Sequence, residues 1–162
     1  MIPGMRIVIF GLVWFVGMLF MLFMLFPAWA EDPLQGSETP GICPQPRKTV
    51  TAPEAYLRMS NPLEPTSNNI IAGKTLFQFD AQPTACRVCH GIGGDGLGIM
   101  FPHVQPKPRN FMCYYTMEDI PDGQLFWVIK NGSPGTVMPS FGYLDDDQVW
   151  QLILYVRSLS KK

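Results

Sequence analysis

The residues best suited to chemistry are Cys86, Cys89 and His90, which form a CxxCH motif in the stretch TACRVCHGIGG, residues 84–94. Three kinds of site use cysteine and histidine in such an arrangement: a structural zinc site, a redox-active dithiol and a covalently attached haem. The residues around the motif distinguish between these three chemistries.

Zinc and dithiol chemistry each need a context that this chain does not offer. A structural zinc site has four ligands, and beyond the motif only Cys43, His103 and Cys113 remain, none of them in a second closely spaced pair. A thioredoxin-type dithiol follows a strand in a βαβ unit, whereas the segment before Cys86 is typical of a helix and a loop. Covalent haem needs two thiols for its vinyl groups and an adjacent histidine for its iron. The motif and its context therefore favour one covalently bound haem c.

The first thirty residues indicate export. Residues 7–26 form an uncharged apolar run that follows Arg6 and precedes the small-x-small sequence of residues 28–30, which is typical of a cleaved signal peptide. The same run has about the 20 residues that a transmembrane helix needs, so a retained anchor is the alternative. Both interpretations place the rest of the chain in an oxidising compartment, which we expect to be the bacterial periplasm. The protein is then either soluble after cleavage or anchored to the inner membrane.

Length and composition predict one globular domain with an extension before it. We expect residues 1–30 to be a signal peptide or transmembrane anchor, residues 31–68 a proline-rich arm or linker, and residues 69–162 the haem domain. A short helical turn is predicted around residues 53–59, since a proline stands at its first helical position. The formal net charge of −1 leaves no basic face for a nucleic-acid partner.

Three helices are predicted within the domain. The first begins near Asn69, with Asn68 or Asn69 as its cap, and the second covers about residues 121–130. The third begins with three aspartates, which suit the positive end of a helix dipole. It carries an apolar stripe of Val149, Leu152, Ile153, Val156 and Leu159.

From about residue 69 to residue 159 the chain resembles a class I, mono-haem cytochrome c. The matching features are the CxxCH motif, the loop GTVMPSFG that contains Met138, the glycine-rich loop of residues 91–98, and a helix-crossing set formed by Gly73, Phe77, Leu152 and Tyr155. The resemblance implies a mainly α fold, with three to four short helices around one covalent haem. We expect an apolar N-terminal helix and an irregular arm before that fold.

The resemblance also implies the residues that bind the cofactor. Cys86 and Cys89 are expected to attach the haem, while His90 and Met138 are expected to be its two axial iron ligands. The remaining candidates surround these ligands. They are Pro102, whose carbonyl would accept the Nδ1 hydrogen of His90, Arg109 as a partner for a haem propionate, and Tyr114 or Tyr115 as a donor to the Met138 sulfur.

Two further cysteines stand outside the motif, Cys43 in the arm and Cys113 in the loop before Met138. Unpaired thiols are a liability in an oxidising compartment, so we expect a disulfide between them, with free thiols as the alternative. Such a bond would fasten the arm across the loops beside the haem.

His/Met ligation raises the reduction potential and fills both axial positions of the iron, which suits electron transfer better than catalysis. We therefore expect an electron carrier that is not an enzyme, acting between a redox donor and acceptor in a periplasmic respiratory, photosynthetic or dehydrogenase chain. The arm favours a tethered subunit or one bound to a membrane respiratory or photosynthetic complex. The alternatives are a small haem enzyme with a labile Met138, such as a peroxidase or a nitric oxide handling protein, and a structural haem subunit of a larger complex.

Overall fold

Short helices joined by irregular loops make up the chain in the computed structural model, which describes residues 40–45 and 49–160. The α-helices are α1 (Glu54–Leu57), α2 (Ser67–Thr75), α3 (Arg87–His90), α4 (Tyr114–Met117), α5 (Asp122–Asn131) and α6 (Asp146–Leu159). A π-helical turn, Leu76–Asp80, continues α2, and a 3-10 turn covers Phe101–His103. No β-strand occurs in the described ranges, and the predicted mainly α class is confirmed.

The predicted apolar helix of residues 7–26 and the first part of the arm, residues 31–39, lie outside the described residues. Within residues 40–45 and 49–160, no helix combines the length and the apolar character that a membrane crossing requires. The expected division at residues 30 and 68 stays a prediction.

Helices α2 and α6 cross at Gly73. A Cβ atom at this position would overlap the carbonyl oxygen of Gln151 and lie 3.0 Å from the backbone nitrogen of Leu152. Only glycine lets two helix backbones approach so closely. One turn further on, the rings of Phe77 and Tyr155 meet edge to face, with centroids 5.3 Å apart. The predicted helix-crossing residues therefore do lie at the crossing.

Helix α6 begins with a capping box. The Asp145 side chain accepts from the backbone N–H of Gln148, and the Gln148 side chain accepts from the backbone N–H of Asp145. The predicted apolar stripe faces the core, since Val149, Leu152, Ile153 and Val156 are buried and Leu159 packs against the same cluster. This helix supplies most of one wall of the core.

The start of α2 differs from the prediction. Its cap is Thr66, whose hydroxyl accepts from the backbone N–H of Asn69 at 3.3 Å, and the helix begins at Ser67. Asn69 instead donates its side-chain amide to the carbonyl of Glu64 at 2.9 Å. A threonine hydroxyl serves the exposed N–H groups as well as an asparagine does, so the prediction placed the cap two or three residues too late.

The described part of the arm packs against the helices instead of extending away from them. The Tyr56 ring of α1 lies 6.3 Å from the Phe126 ring of α5, and the Asn61 amide donates to the carbonyl of Trp150 at 3.0 Å. A disulfide joins Cys43 to Cys113, as expected. The described residues accordingly belong to one compact unit. Proline-rich segments with few regular backbone bonds are held here by side-chain hydrogen bonds and a covalent link.

Candidate functional site

A partly open cavity of about 710 Å³ lies among the helices and loops of the unit. The segments around it are the π-helical turn, α3, residues 104–111, α5, the loop of residues 133–141 and α6. Its volume is within the range of cofactor and ligand sites, which is about 300–1,000 Å³. Four predicted ligand or attachment residues line it together: Cys86, Cys89, His90 and Met138.

The glycine-rich loop fixes the CxxCH helix, α3. The loop turns back so that the backbone N–H of Gly96 donates to the carbonyl of His90 at 2.9 Å, and that of Gly98 donates to the carbonyl of Cys89 at 3.1 Å. These bonds satisfy carbonyl groups that a helix end leaves free. Gly96 has φ near +80°, a conformation that other residues rarely adopt. The loop after the motif is therefore specialised to hold the motif in place.

The His90 imidazole is buried and oriented by a backbone acceptor. Its Nδ1 atom lies 3.0 Å from the carbonyl oxygen of Arg109, and its ring stacks on Phe111 with centroids 4.5 Å apart. The relative exposure of His90 is 9%. Since a carbonyl oxygen only accepts, Nδ1 must carry the hydrogen, and the lone pair then lies on Nε2. A metal would therefore bind Nε2.

The two motif thiols are not joined to each other. Burial raises the pKa of Cys86 to about 12, and burial also raises the pKa of Cys89. Redox-active dithiols work with a lowered thiol pKa, so the environment disfavours that chemistry. Within residues 40–45 and 49–160, no group of three or more His, Cys, Asp or Glu side chains is arranged to hold a metal ion.

Met138 belongs to a loop in which both its backbone N–H and its carbonyl are hydrogen-bonded. Its carbonyl accepts from the backbone N–H of Ser133 at 3.2 Å, and its backbone N–H donates to the Thr136 hydroxyl at 3.0 Å. A Cβ atom at Gly132 would lie 2.8 Å from the Met138 carbonyl oxygen, so the loop packs tightly against the end of α5. Met138 is partly buried against the core. The structure brings this thioether to the same cavity as His90.

The prediction for Pro102 is wrong, and the contact predicted for Tyr114 stays a prediction. Pro102 is exposed in the 3-10 turn and does not line the cavity, and the carbonyl that meets His90 belongs to Arg109. Tyr114 also lies outside the cavity lining, and a hydrogen bond to the Glu118 side chain raises the pKa of its phenol. The turn of α4 points its two tyrosines differently, so it is Tyr115 that reaches the cavity.

Arg109 lines the cavity, and its role as a propionate partner stays a prediction. Its guanidinium also donates to the Thr49 hydroxyl at 3.0 Å. Arg109 therefore contributes twice, since its backbone carbonyl orients His90 and its side chain places a positive charge at the cavity. The sequence pattern indicated the second role alone.

Sequence reasoning missed the polar residues that join the arm to the site. Gln45 and Thr49 line the cavity, and the fully buried Asn110 donates its side-chain amide to the carbonyl of Pro40 at 2.7 Å. Gln45 and Asn110 are 65 positions apart in the chain, and no local pattern marks either residue. Their contacts follow from the path of the arm.

The residues around the cavity fit a covalently attached haem. Two thiols, one imidazole oriented by the Arg109 carbonyl and one thioether share a cavity that aromatic and aliphatic side chains mostly line, including Phe77, Leu152 and Val156. The thiols match the two vinyl groups of haem, while imidazole and thioether are a known pair of axial ligands. This donor set suits haem iron, in contrast to the carboxylate-rich sites of Mg²⁺ or Ca²⁺.

Comparison with known proteins agrees with this chemistry. The sequence profile of a family described as cytochrome c oxidase, cbb3-type, subunit III matches residues 68–156, which is more than half of the chain. The chain belongs to this family. Its members are c-type cytochromes, so the family implies covalently bound haem c and a role in electron transfer. The matched residues contain the CxxCH motif and the Met138 loop.

A solved structure supports the same assignment for this cytochrome. The chain is similar to a component of the reducing HAO-like protein complex of Kuenenia stuttgartiensis, with 30% sequence identity and a TM-score of 0.55. The similarity covers 65% of this chain and 49% of the other, so the chain spans about half the length of that component.

Proposed function

We propose that this cytochrome carries a single haem c, attached through Cys86 and Cys89 with His90 and Met138 as axial ligands, and transfers one electron at a time between redox proteins. The observation that supports this most strongly is the shared cavity, since two thiols, an oriented imidazole and a thioether from distant parts of the sequence all line it. Bound haem supplies a one-electron iron couple.

The protein's own residues have three roles in this proposal. The Cys86 and Cys89 thiols hold the cofactor permanently, which suits a carrier that meets successive partners. His90 donates its Nδ1 hydrogen to the Arg109 carbonyl and so keeps Nε2 available and more basic. The loop around Met138 is fixed by hydrogen bonds to Ser133 and Thr136, which would hold the thioether at the cavity.

Few charged groups line the cavity. Among the described residues, Arg109 and Asp119 are the charged side chains that line it. An apolar surrounding disfavours the extra positive charge of oxidised iron, so it adds to the effect of methionine in raising the reduction potential. These features support electron transfer at a comparatively high potential.

Partners would meet the protein at the open side of the cavity. Tyr115 and Val137 line the cavity and are also exposed, by 66% and 61%. An exposed apolar rim suits the small, short-lived encounters of redox proteins. We place the protein in the bacterial periplasm, anchored by residues 7–26 or soluble after cleavage, and acting in a respiratory, photosynthetic or dehydrogenase chain. A redox complex of several subunits is the setting we favour.

A spectroelectrochemical titration of the full-length haem-loaded protein tests this function. We expect a single one-electron wave, together with slow binding of carbon monoxide to the reduced protein because Met138 occupies the sixth position. Fast binding at neutral pH would instead favour the haem-enzyme alternative with a labile Met138. Two or more waves of equal size would contradict the single haem.

A further inference from the structure

The orientation of His90 depends on the position of one peptide carbonyl. The carbonyl oxygen of Arg109 accepts the Nδ1 hydrogen of His90 at 3.0 Å. Arg109 lies in an irregular segment, residues 104–110, that contains no helical backbone bonds of its own to fix it. Something outside this segment must therefore hold the carbonyl in place.

The side chain of Gln45 provides that support. Its Nε2 donates to the carbonyl of Pro108 at 2.8 Å, and its Oε1 accepts from the backbone N–H of Asn110 at 2.8 Å. These two bonds lie on either side of Arg109 along the chain. A primary amide is suited to this task because it is a donor and an acceptor at the same time.

Gln45 is itself held on several sides. Its backbone N–H donates to the Thr116 hydroxyl at 3.0 Å, and the disulfide from Cys43 to Cys113 lies two residues before it. The buried Asn110 amide donates to the carbonyls of Pro40 and Ile42, at 2.7 and 3.3 Å. The arm and residues 108–110 thus form a network in which almost every bond joins residues more than sixty positions apart in the sequence.

We propose that Gln45 is a positioning residue for the axial histidine. By bracketing Arg109 it fixes the carbonyl that receives the Nδ1 hydrogen, and through that bond it sets the plane and the basicity of the His90 ring. This inference rests on the proposed function, because it concerns His90 as an iron ligand. It assigns the arm a part in tuning the redox centre in addition to its structural one.

Hydrogen exchange at the His90 Nδ1 proton measures this effect directly. The full-length, haem-loaded protein is labelled with ¹⁵N-histidine and studied by NMR in the reduced, diamagnetic state. Assignment is simple because the sequence contains two histidines, and the other, His103, is exposed. In Gln45→Ala we expect the His90 Nδ1 proton to exchange at least about tenfold faster than in the wild type. This factor corresponds to the free energy of about one net hydrogen bond.

Asn61→Ala is the matched control. The Asn61 amide likewise makes two hydrogen bonds to backbone groups, to Trp150 and Leu63, and likewise ties the arm to the domain, but it does not line the cavity. We expect this variant to lose stability without changing the Nδ1 exchange rate. Gln45→Glu keeps the acceptor for Asn110 and loses the donor to Pro108, so its exchange rate is expected to lie between those of the wild type and Gln45→Ala.

Unchanged exchange in Gln45→Ala, or equal acceleration in Asn61→Ala, would overturn the positioning role. Circular dichroism and thermal unfolding confirm that each variant is folded before it is compared. If the proposed function is wrong, the wild-type protein itself carries no haem, or its His90 ring shows no contact with the iron. Either result is distinct from a change in the Nδ1 exchange rate between variants. The two hypotheses are therefore tested separately.

Discussion

Gly73 of α2 lies against the backbone of Gln151 in α6, so that a Cβ atom at position 73 would overlap the Gln151 carbonyl oxygen. This contact joins α2 to α6 directly beside the Phe77–Tyr155 ring pair. Phe77 also lines the cavity, with its ring 6.5 Å from the His90 ring. The crossing therefore sets the position of one wall of the cofactor cavity.

Gly73→Ala is expected to destabilise the fold by about 1–3 kcal/mol, because a methyl group would force the two backbones apart. Gly93→Ala is the control, since a Cβ there would meet only the Met112 sulfur, at an ordinary 3.8 Å. We expect the control to change stability by less than about 0.5 kcal/mol. Urea unfolding followed by circular dichroism measures both values. Equal stability of the two variants would contradict close backbone contact at the crossing.

Arg157 is a second point at which α6 is fixed. Its guanidinium donates to the Asp122 carboxylate at 2.8 Å and to the carbonyls of Met117 and Ile120. Because several charge-assisted bonds are lost together in a partly buried place, Arg157→Ala is expected to cost about 2–4 kcal/mol of unfolding free energy.

The matched control for Arg157 is Arg58→Ala. Arg58 pairs with Glu54 at 3.0 Å, but the two side chains are 69% and 70% exposed. Exposed pairs contribute about 0–1 kcal/mol, so this variant should be close to the wild type. Denaturant unfolding of Arg157→Ala and Arg58→Ala, each compared with the wild type, measures both losses of stability. A similar loss in both variants would show that Arg157 acts as an ordinary surface charge.

Much of the site could be predicted because its signals are local. The CxxCH spacing, the Met138-Pro139 loop, the aspartates at the start of α6 and the glycine of the helix crossing are all visible within short stretches. The acceptor of the His90 hydrogen could not be predicted in this way. Every residue carries a carbonyl, so only the path of residues 102–110 decides between Pro102 and Arg109.

The role of the arm was hidden for a related reason. Proline content correctly indicated irregular structure but does not show what an irregular segment touches. The bonds from Gln45 to Pro108 and Asn110, and from Asn61 to Trp150, join residues far apart in sequence. The cysteine pair is the exception, since an oxidising compartment by itself favours the disulfide that the structure contains.

The Cys43–Cys113 disulfide is expected to stabilise the folded state substantially. It closes a loop with a sequence separation of 70, for which chain-entropy reasoning gives about 4 kcal/mol. Unfolding of the Cys43→Ala, Cys113→Ala double variant, compared with the wild type, measures this contribution. In addition, the haem-loaded wild type should contain no thiol that reacts with Ellman's reagent after denaturation. Two reactive thiols per chain would contradict the bond.

Loss of the thioether at position 138 should change the redox centre and leave the fold intact. We expect Met138→Ala to lower the reduction potential, because methionine ligation raises it, and to abolish the weak red absorption band of the oxidised protein that methionine ligation gives. Met100→Ala is the control, since Met100 is exposed and does not line the cavity. An unchanged spectrum and potential in Met138→Ala would show that another group binds the iron.

The central claim is that one haem is held covalently by Cys86 and Cys89. The pyridine haemochrome spectrum and the intact mass of the denatured protein test it most directly, with Cys86→Ser, Cys89→Ser as the comparison. The proposed site predicts a c-type haemochrome, one haem per chain that survives denaturation, and no covalent haem in the double variant. A wild-type chain with the mass of the polypeptide alone, or with haem that acidified solvent extracts, would contradict the assignment.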